Sequence, residues 1–171
     1  PISIYYGVMT LILTYLICIP LGIYKAINHG SKMDNLTSGI IFVGYAVPGY
    51  VLGIGLILFF AAHLEWFPLG GFVSDGFEEF TLWQKAKDLL WHSALPLMAY
   101  MASSFAVLTF MMKNSLLDTL TEDYMRTAMA KGNKFKVAVL KHALRNSLIP
   151  IATHFGNNIS LILTGSFLIQ T

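Results

Sequence analysis

Residues 35–64 read NLTSGIIFVGYAVPGYVLGIGLILFFAAHL, a run of 30 positions without a single Asp, Glu, Lys or Arg. A helix needs about 20 predominantly apolar residues to cross the roughly 30 Å hydrocarbon core of a bilayer. The run is therefore long enough to span a membrane. It predicts a transmembrane helix over about 36–62.

Three more charge-free runs flank it, at residues 1–24, 89–112 and 146–171. Only 12% of the 171 residues are charged, whereas a soluble domain carries about a quarter. Four helices that are apolar all round would leave a soluble protein of this length with no polar surface. The sequence thus predicts an all-α integral membrane protein, with four transmembrane helices at about 2–24, 36–62, 93–112 and 150–171.

The polar segments between these runs set the orientation. The first and third, residues 25–34 and 113–145, hold nine of the eleven Lys and Arg residues, while the segment between them holds five acids and two lysines. Basic loops stay in the cytoplasm. We therefore predict an outer loop over 63–92 and a cytoplasmic loop over 113–149, with both chain ends outside. Within the outer loop, aromatic residues suited to the membrane interface accompany a short predicted surface helix over 81–92.

Both ends of the sequence favour a piece of a longer chain. The sequence opens on Pro1 rather than Met, and the last apolar run stops at Thr171 without a polar tail. We expect residues 1–171 to be a fragment of one transmembrane domain of a longer chain.

The second predicted span is rich in glycine and has Pro48 at its middle. Glycines at a helix contact let two backbones approach closely, and Gly49 and Gly53 have the four-residue spacing for this. Proline in a helix interior removes a backbone hydrogen bond and kinks the helix. A kinked span of this composition suits an interior position. The residues predicted to line a pathway are Gly44, Pro48, Gly49, Gly53 and, in the fourth run, Asn157.

Several function classes find no support in these residues. No Asp, Glu, Lys or Arg lies inside the four runs, which argues against a proton-driven secondary transporter. The five histidines have no metal-site spacing, and a phosphate-binding loop of the form G-x-x-x-x-G-K-[ST] is missing from the sequence. We expect no enzyme activity, no cofactor in this chain and no nucleic-acid partner.

The segment after the third span is too long for a simple hairpin turn. Thr121 is the predicted N-cap of a short helix that Gly132 ends, and a second helix leads to Pro150. Three roles remain open on physical grounds: a basic surface for anionic lipid head groups, a spacer, or a docking element for a cytoplasmic partner. A secondary transporter or another multi-spanning protein with a lipid-binding loop is the alternative interpretation of the whole chain.

This segment resembles a known signature. DYMRTAMAKG at 123–132, followed by KHALRNSLIP at 141–150, is similar to the E-A-A-x-x-x-G-x(9)-I-x-L-P signature of peptide-class ABC transporter permeases, the binding-protein-dependent inner-membrane components. Gly132 and Ala128 match the signature, whereas Arg126 and Thr127 replace Glu and Ala in the manner of the peptide and nickel subfamily. Collinear stretches such as GYAVPGYVLGIGLILFF at 44–60 extend the resemblance along the chain, and it is strongest to Yej-type microcin C and oligopeptide permease subunits.

The resemblance implies a partial ABC importer permease fold in the bacterial inner membrane, with a cytoplasmic coupling-helix loop. It implies docking of a cytoplasmic ABC ATPase that binds the ATP, pairing with a second permease subunit, and peptide delivery by an extracytoplasmic binding protein. The implied docking residues are Asp123, Tyr124, Arg126, Thr127, Ala128, Ala130, Lys131 and Gly132.

Overall fold

The computed structural model describes the backbone of residues 2–168 and the side chains of residues 2–159. This range contains helices and turns and no strand, which confirms the all-α prediction. The helices are α1 (Ile2–Ile27), α2 (Lys32–Ala46), α3 (Gly49–Leu56), α4 (Leu82–Leu120), α5 (Asp123–Ala130), α6 (Phe135–Ala138), α7 (Leu144–Ser147) and α8 (Ile149–Leu168). A π-helical segment Ile57–His63 continues α3, another at Val139–Ala143 joins α6 to α7, and a 3₁₀ turn forms at Phe77–Glu79.

Two described helices, α1 and α4, are long and apolar enough to cross a membrane. A third candidate is the pair formed by α2 with Gly49–His63, which passes the same test only when taken together and is bent by 99°. The fourth predicted span, at 150–171, begins within α8 but reaches beyond the described residues. The count of four spans therefore stays a prediction.

The break in the second span is sharper than the kink that the sequence predicts. Val47 and Pro48 both adopt extended backbone, with ψ of 123° and 136°. The residue before a proline is pushed out of the helical region by the proline ring. Two consecutive extended residues therefore separate α2 from α3, and the chain changes direction at this point.

Part of the predicted outer loop is helical, because α4 is one continuous helix of 39 residues. Thr81 caps its N-terminus in a reciprocal capping box with Gln84, and such a box fixes where a helix begins. The predicted surface helix over 81–92 is wrong as a separate element, since nothing between Leu82 and the predicted start of the span ends the helix. At about 1.5 Å per residue α4 is about 58 Å long, so it extends well beyond the hydrocarbon core.

The start of the cytoplasmic helix also differs from the prediction. Thr121 is the C-cap of α4, and Glu122 is the residue that precedes α5. Gly132 has a φ of +85°, a left-handed conformation that glycine adopts without steric cost and that commonly ends helices. The predicted helix end at Gly132 is confirmed.

The largest group of buried apolar residues lies where α1, α4 and the cytoplasmic segment meet. Met112 and Leu116 of α4 are fully buried, and Met125 and Ala128 of α5 pack into the same cluster. Ala138, Val139 and Ala143 complete it from the following segment. The short helix α5 is thus fixed to the cytoplasmic end of α4 by shared burial.

Candidate functional site

Helix α5 has one buried face and one exposed face. Met125 and Ala128, three residues apart, are 1% and 6% exposed and anchor the helix to the core. The remaining predicted docking residues are exposed on the surface: Asp123, Tyr124, Arg126, Thr127, Ala130, Lys131 and Gly132. Seven of the eight are therefore accessible to a partner, whereas the Ala128 side chain is held in the protein's own core. The docking role of all eight residues remains a prediction.

Two side-chain hydrogen bonds fix the position of this exposed face. The Asn133 side chain donates to the Ala128 carbonyl at 3.0 Å, which satisfies a carbonyl left free at the helix end. The Asn146 amide donates to the Tyr124 hydroxyl at 3.1 Å and links α5 to α7. Both halves of the signature, 123–132 and 141–150, are thereby joined into one surface.

The exposed face of α5 is short, and it carries both small side chains and charged side chains of either sign. Arg126 pairs with Asp123 at 3.6 Å, but both side chains are largely exposed, so the pair contributes little to stability. Thr127 and Ala130 leave room for a partner helix or cleft to approach closely. The face is suited to contact with a folded partner.

Behind this surface lies a buried charge cluster made of Lys25, Asp34 and Lys113, which are 0%, 1% and 7% exposed. The Lys113 ammonium donates to both Asp34 carboxylate oxygens, at 2.9 and 2.8 Å. The Lys25 ammonium lies 2.9 Å from Asp34 Oδ1. Bonds of this kind, with both partners charged, are the stronger class of protein hydrogen bond. The cluster joins the end of α1, the start of α2 and the cytoplasmic part of α4.

Polar neighbours supply the remaining hydrogen bonds of this cluster. Lys25 also donates to the Asp34 carbonyl and to the hydroxyls of Thr37 and Ser38, at 2.8, 2.7 and 2.9 Å. The Gly30 amide donates to Asp34 Oδ2 at 3.1 Å. With this many partners, three buried charges are tolerated where isolated ones would not be.

No local pattern in the sequence points to this cluster. All three residues border charge-free runs and lie in the predicted polar segments, where they indicate only the orientation of the spans. The pairing of Asp34 with Lys113 joins residues 79 positions apart. Only the packing of α4 against the α1–α2 turn brings them together.

The predicted pathway residues fall in different surroundings. A Cβ atom added at Gly49 would lie 3.3 Å from the Ala99 carbonyl oxygen of α4, and one added at Gly53 would lie 3.3 Å from the Ala99 Cβ. The small-residue pair therefore lies at a helix contact, as its spacing predicts. Gly44 has open space around it, and Asn157 is exposed on α8. The pathway role of these residues, and of Pro48, stays a prediction.

On the opposite side of the molecule, the outer loop is fastened to α4 by a carboxylate. Ser74 donates to Asp88 twice, from its backbone amide at 2.9 Å and from its hydroxyl at 2.5 Å. His92 lies beside Asp88, with Nδ1 3.5 Å from Oδ1. The Trp91 indole donates to the Trp66 carbonyl at 2.9 Å. These bonds hold the segment between His63 and Leu82 against the start of α4.

We expect Ser74→Ala to loosen this outer loop without unfolding the protein. The substitution removes the hydroxyl bond to a charged acceptor, and bonds of that type contribute about 1.5–3 kcal/mol. Hydrogen exchange of residues 64–81 in the full-length protein should become about tenfold faster or more, while exchange in the core of α4 stays unchanged.

Ser103→Ala is the matched control for that measurement, because the Ser103 side chain is exposed and bonds only within its own helix. Equal exchange of the outer loop in the Ser74→Ala variant and in this control would show that the bond from the Ser74 hydroxyl to Asp88 does not hold the loop.

Taken together, these features define a helical, multi-spanning membrane protein with a short, two-faced helix on its cytoplasmic side. The chain belongs to the family of binding-protein-dependent transport system inner membrane components, whose sequence model matches residues 18–171. The resemblance seen in the sequence is thereby confirmed, as are the partial permease fold and the inner-membrane location.

Individual relatives agree with this assignment. The chain is 45% identical to the peptidoglycan transport system permease protein YejB of Agrobacterium fabrum over 173 residues, which cover 99% of this chain and 48% of that protein. It is 42% identical to the inner membrane ABC transporter permease protein YejB of Escherichia coli O157:H7, with the same coverage. It is 36% identical to the oligopeptide transport system permease protein AppB of Bacillus subtilis, over 93% of this chain and 49% of that protein. The chain spans about half the length of the curated relatives it matches.

Proposed function

We propose that this chain forms part of the membrane-spanning permease of an ATP-driven importer for peptides or oligopeptides, and that α5 docks a separate cytoplasmic ATPase subunit. Family membership and the names of the relatives support the transport class. The observation that carries the docking proposal is the two-faced helix α5. Its buried face, Met125 and Ala128, belongs to the apolar cluster that includes residues of α4, and its exposed face lies beside Gly132.

The proposed partners divide the work. The ATPase binds and hydrolyses ATP, a second permease subunit forms the other half of the membrane path, and an extracytoplasmic protein delivers the peptide. This chain converts movement of its docking surface into movement of its spans. No enzyme activity of its own is required for that role.

The geometry supports such a conversion. A load on α5 passes to the Val139–Ala143 segment, which contacts α5, and from that segment to α4, which it also contacts. Because α4 is one helix from Leu82 to Leu120, a tilt at its cytoplasmic end also moves its outer end. The buried charge cluster ties α4 to the α1–α2 turn, so these spans move as one body. This corresponds to rigid-body switching between two packed arrangements.

A bulky side chain on the exposed face tests the docking proposal. We expect Ala130→Trp, in the full-length permease purified with its ATPase subunits, to reduce the amount of bound ATPase about tenfold or more. Tenfold corresponds to about 1.4 kcal/mol, within the range for a central interface position. The ratio of ATPase to permease after purification is the measurement, with peptide-stimulated ATP hydrolysis as the second readout.

Asn35→Trp provides the control, since Asn35 is exposed in the first turn of α2 on the same side of the membrane. It should leave the ratio unchanged. Ala128→Arg is less informative, because it places a charge in the core. If the Ala130→Trp variant keeps its full amount of bound ATPase, and peptide still stimulates ATP hydrolysis normally, the proposal that α5 docks the ATPase is wrong.

The lipid-binding alternative has an observation of its own, namely the exposed basic residues Arg126, Lys131, Lys134 and Lys136. It predicts that Lys131→Gln together with Lys134→Gln weakens binding to anionic vesicles and leaves the ATPase attached. The docking proposal predicts that the ATPase ratio responds to Ala130→Trp whatever the lipid charge.

A further inference from the structure

A small pocket lies on the outer surface at the start of α4. Its volume is about 220 Å³, and it is lined by Phe80, Gln84, Lys87, Asp88 and Trp91. The last four follow one another at three- and four-residue spacing, which places them on one face of the helix. The volume lies below the range of about 300–1,000 Å³ for sites that enclose a whole small molecule. The pocket therefore suits a compact polar group.

The pocket lies at the depth of the outer lipid headgroups. The part of α4 predicted to cross the hydrocarbon core begins at residue 93. At about 1.5 Å per residue, Trp91 lies about 3 Å outside the core and the Lys87 backbone about 9 Å outside it. The headgroup layer on each side of a bilayer is about 5–7 Å thick. The long side chain of a lysine can reach back into that layer.

The same face of α4 changes character in the order that a bound lipid requires. Gln84 and Lys87 are exposed at its outer end, and the Trp91 side chain, 43% exposed, comes next. Met98 follows two turns further in, with an apolar side chain that is 51% exposed. Polar headgroup, aromatic interface and acyl chain follow one another in this order across a membrane surface. A protein partner outside the bilayer would reach Lys87 but not Met98.

The aromatic side of the pocket is held in place from behind. The Trp91 indole N–H donates to the Trp66 carbonyl at 2.9 Å, and the His92 ring packs edge-on against Trp91 with the ring centroids 5.4 Å apart. Phe80 adds a second ring to the lining. Aromatic faces attract ammonium groups that come within about 6 Å. The pocket thus offers fixed rings to a cationic group.

Lys87 supplies the positive charge of the pocket. Among the described residues, Lys85 pairs with Glu78 at 3.8 Å and lies over the Phe77 ring, whereas Lys87 belongs to none of the ion pairs. An ammonium group binds the oxygens of a phosphate as a compact point charge. Lys87 is therefore free to pair with a phosphate.

Negative charge around the pocket argues against an anionic lipid. Asp88 lines the pocket, and both its carboxylate oxygens already accept hydrogen bonds from Ser74, so it acts through its charge. The surrounding segment 65–88 holds five acids and two lysines. This field repels a headgroup that carries only negative charge. A headgroup with a phosphate for Lys87 and an ammonium of its own matches both signs.

We propose that this pocket binds the headgroup of a zwitterionic phospholipid of the outer leaflet, with Lys87 on the phosphate and the rings of Trp91 and Phe80 beside the ammonium. The acyl chains then run along α4 past Met98. The site lies on the opposite side of the membrane from α5, and its occupation can be measured without transport.

Lys87→Gln removes the charge that holds the phosphate. It should weaken the binding of dioleoyl phosphatidylethanolamine about fivefold, the contribution of one lysine near a lipid surface. The measurement is native mass spectrometry of the lipid-stripped full-length permease complex, titrated with this lipid or with dioleoyl phosphatidylglycerol, and it yields the dissociation constant of the first lipid bound. The unaltered complex should prefer phosphatidylethanolamine about threefold, as expected for an ammonium beside aromatic rings.

Lys85→Gln is the matched control, because it makes the same change of charge two residues away at a side chain outside the pocket lining. Its affinity for phosphatidylethanolamine should equal that of the unaltered complex. Equal affinities of the two variants would overturn the proposal, as would phosphatidylglycerol binding to the unaltered complex as tightly as phosphatidylethanolamine. If Lys87→Gln instead weakens binding of the extracytoplasmic protein and leaves lipid affinity unchanged, the pocket contacts a protein and the proposal is wrong.

Trp91→Leu tests the ring beside the ammonium. The preference for phosphatidylethanolamine over phosphatidylglycerol should fall about threefold. A general loosening of the outer loop would weaken both lipids alike, so a loss confined to phosphatidylethanolamine identifies the ring. Trp83→Leu is the control, since Trp83 is 80% exposed and lies outside the pocket lining. A lipid preference that is the same in the Trp91→Leu and Trp83→Leu variants would overturn the proposal.

Discussion

Asp34→Ala should destabilise the full-length permease by about 3–5 kcal/mol, the range for removal of one partner from a buried ion pair. The substitution leaves the ammonium groups of Lys25 and Lys113 facing each other at a buried position. Both lysines bond the same carboxylate at 2.8–2.9 Å, so neither has another charge to pair with among the neighbours described for this cluster. Thermal unfolding in detergent, followed by tryptophan fluorescence, should register a large drop in melting temperature.

Two further substitutions make this expectation specific. Lys113→Met should lower stability clearly less than Asp34→Ala. It leaves Lys25 and Asp34 as an ion pair of zero net charge, and the hydroxyls of Thr37 and Ser38 still accept from Lys25. Asp75→Ala removes an exposed acid of the outer loop, and surface changes of this kind stay within about 0.5 kcal/mol. Asp34→Ala and Asp75→Ala variants of equal stability would mean that Asp34 is not buried among the lysines in the assembled protein.

The importance of this cluster reaches beyond stability. It connects the α1–α2 turn to α4 next to Met112 and Leu116, which belong to the same apolar cluster as Met125 and Ala128 of α5. Loss of the cluster should therefore uncouple the first two helices from the docking surface. Among variants that still fold, those with a weakened cluster should show ATP hydrolysis that responds less to peptide.

The sequence predicted the helical membrane class well because hydropathy is a local property. The predicted spans 2–24 and 93–112 fall within α1 and α4, and the left-handed Gly132 ends α5 where its conformational freedom predicts. The signature at 123–150 predicted a docking element, and the structure places most of the predicted docking residues on an exposed surface. Each of these inferences depends on neighbours within a few turns of the chain.

Features that depend on distant contacts could not be predicted in the same way. The length of α4 was missed for a local reason, because Pro96 and several charges lie inside a helix that runs without a break from Leu82 to Leu120. The contact of Asp34 with Lys113 exists only once the helices pack. Ala128 matches the signature yet is buried, because its neighbour at three residues, Met125, turns that side of α5 toward the core.

Gly22→Leu, like Asp34→Ala, should destabilise the protein strongly. We expect it to lower the free energy of unfolding by about 3 kcal/mol or more. A Cβ atom at Gly22 would lie 2.6 Å from Met112 Cβ and 2.8 Å from the Thr109 carbonyl oxygen. One obstacle is backbone and the other is the fixed start of a side chain, so neither can move without shifting α4. Overpacking by a few methylene groups already costs about 1–3 kcal/mol. The melting temperature of the full-length permease in detergent should fall well below that of the unaltered protein.

The comparison of Gly22→Ala with Gly39→Ala isolates the role of close helix approach. Both glycines are helical, but a Cβ at Gly39 meets no atom within 4 Å. Gly39→Ala should therefore raise stability by about 0.4–1 kcal/mol, through the smaller conformational freedom of the unfolded chain. Gly22→Ala should lower it, since the same added methyl group forces α1 away from α4. If Gly→Ala raises stability at position 39 and lowers it at position 22, Gly22 is required for the close contact between α1 and α4. Small residues play this role at membrane helix interfaces. Stability changes of the same sign in the two variants would mean that α1 and α4 do not approach this closely in the assembled permease.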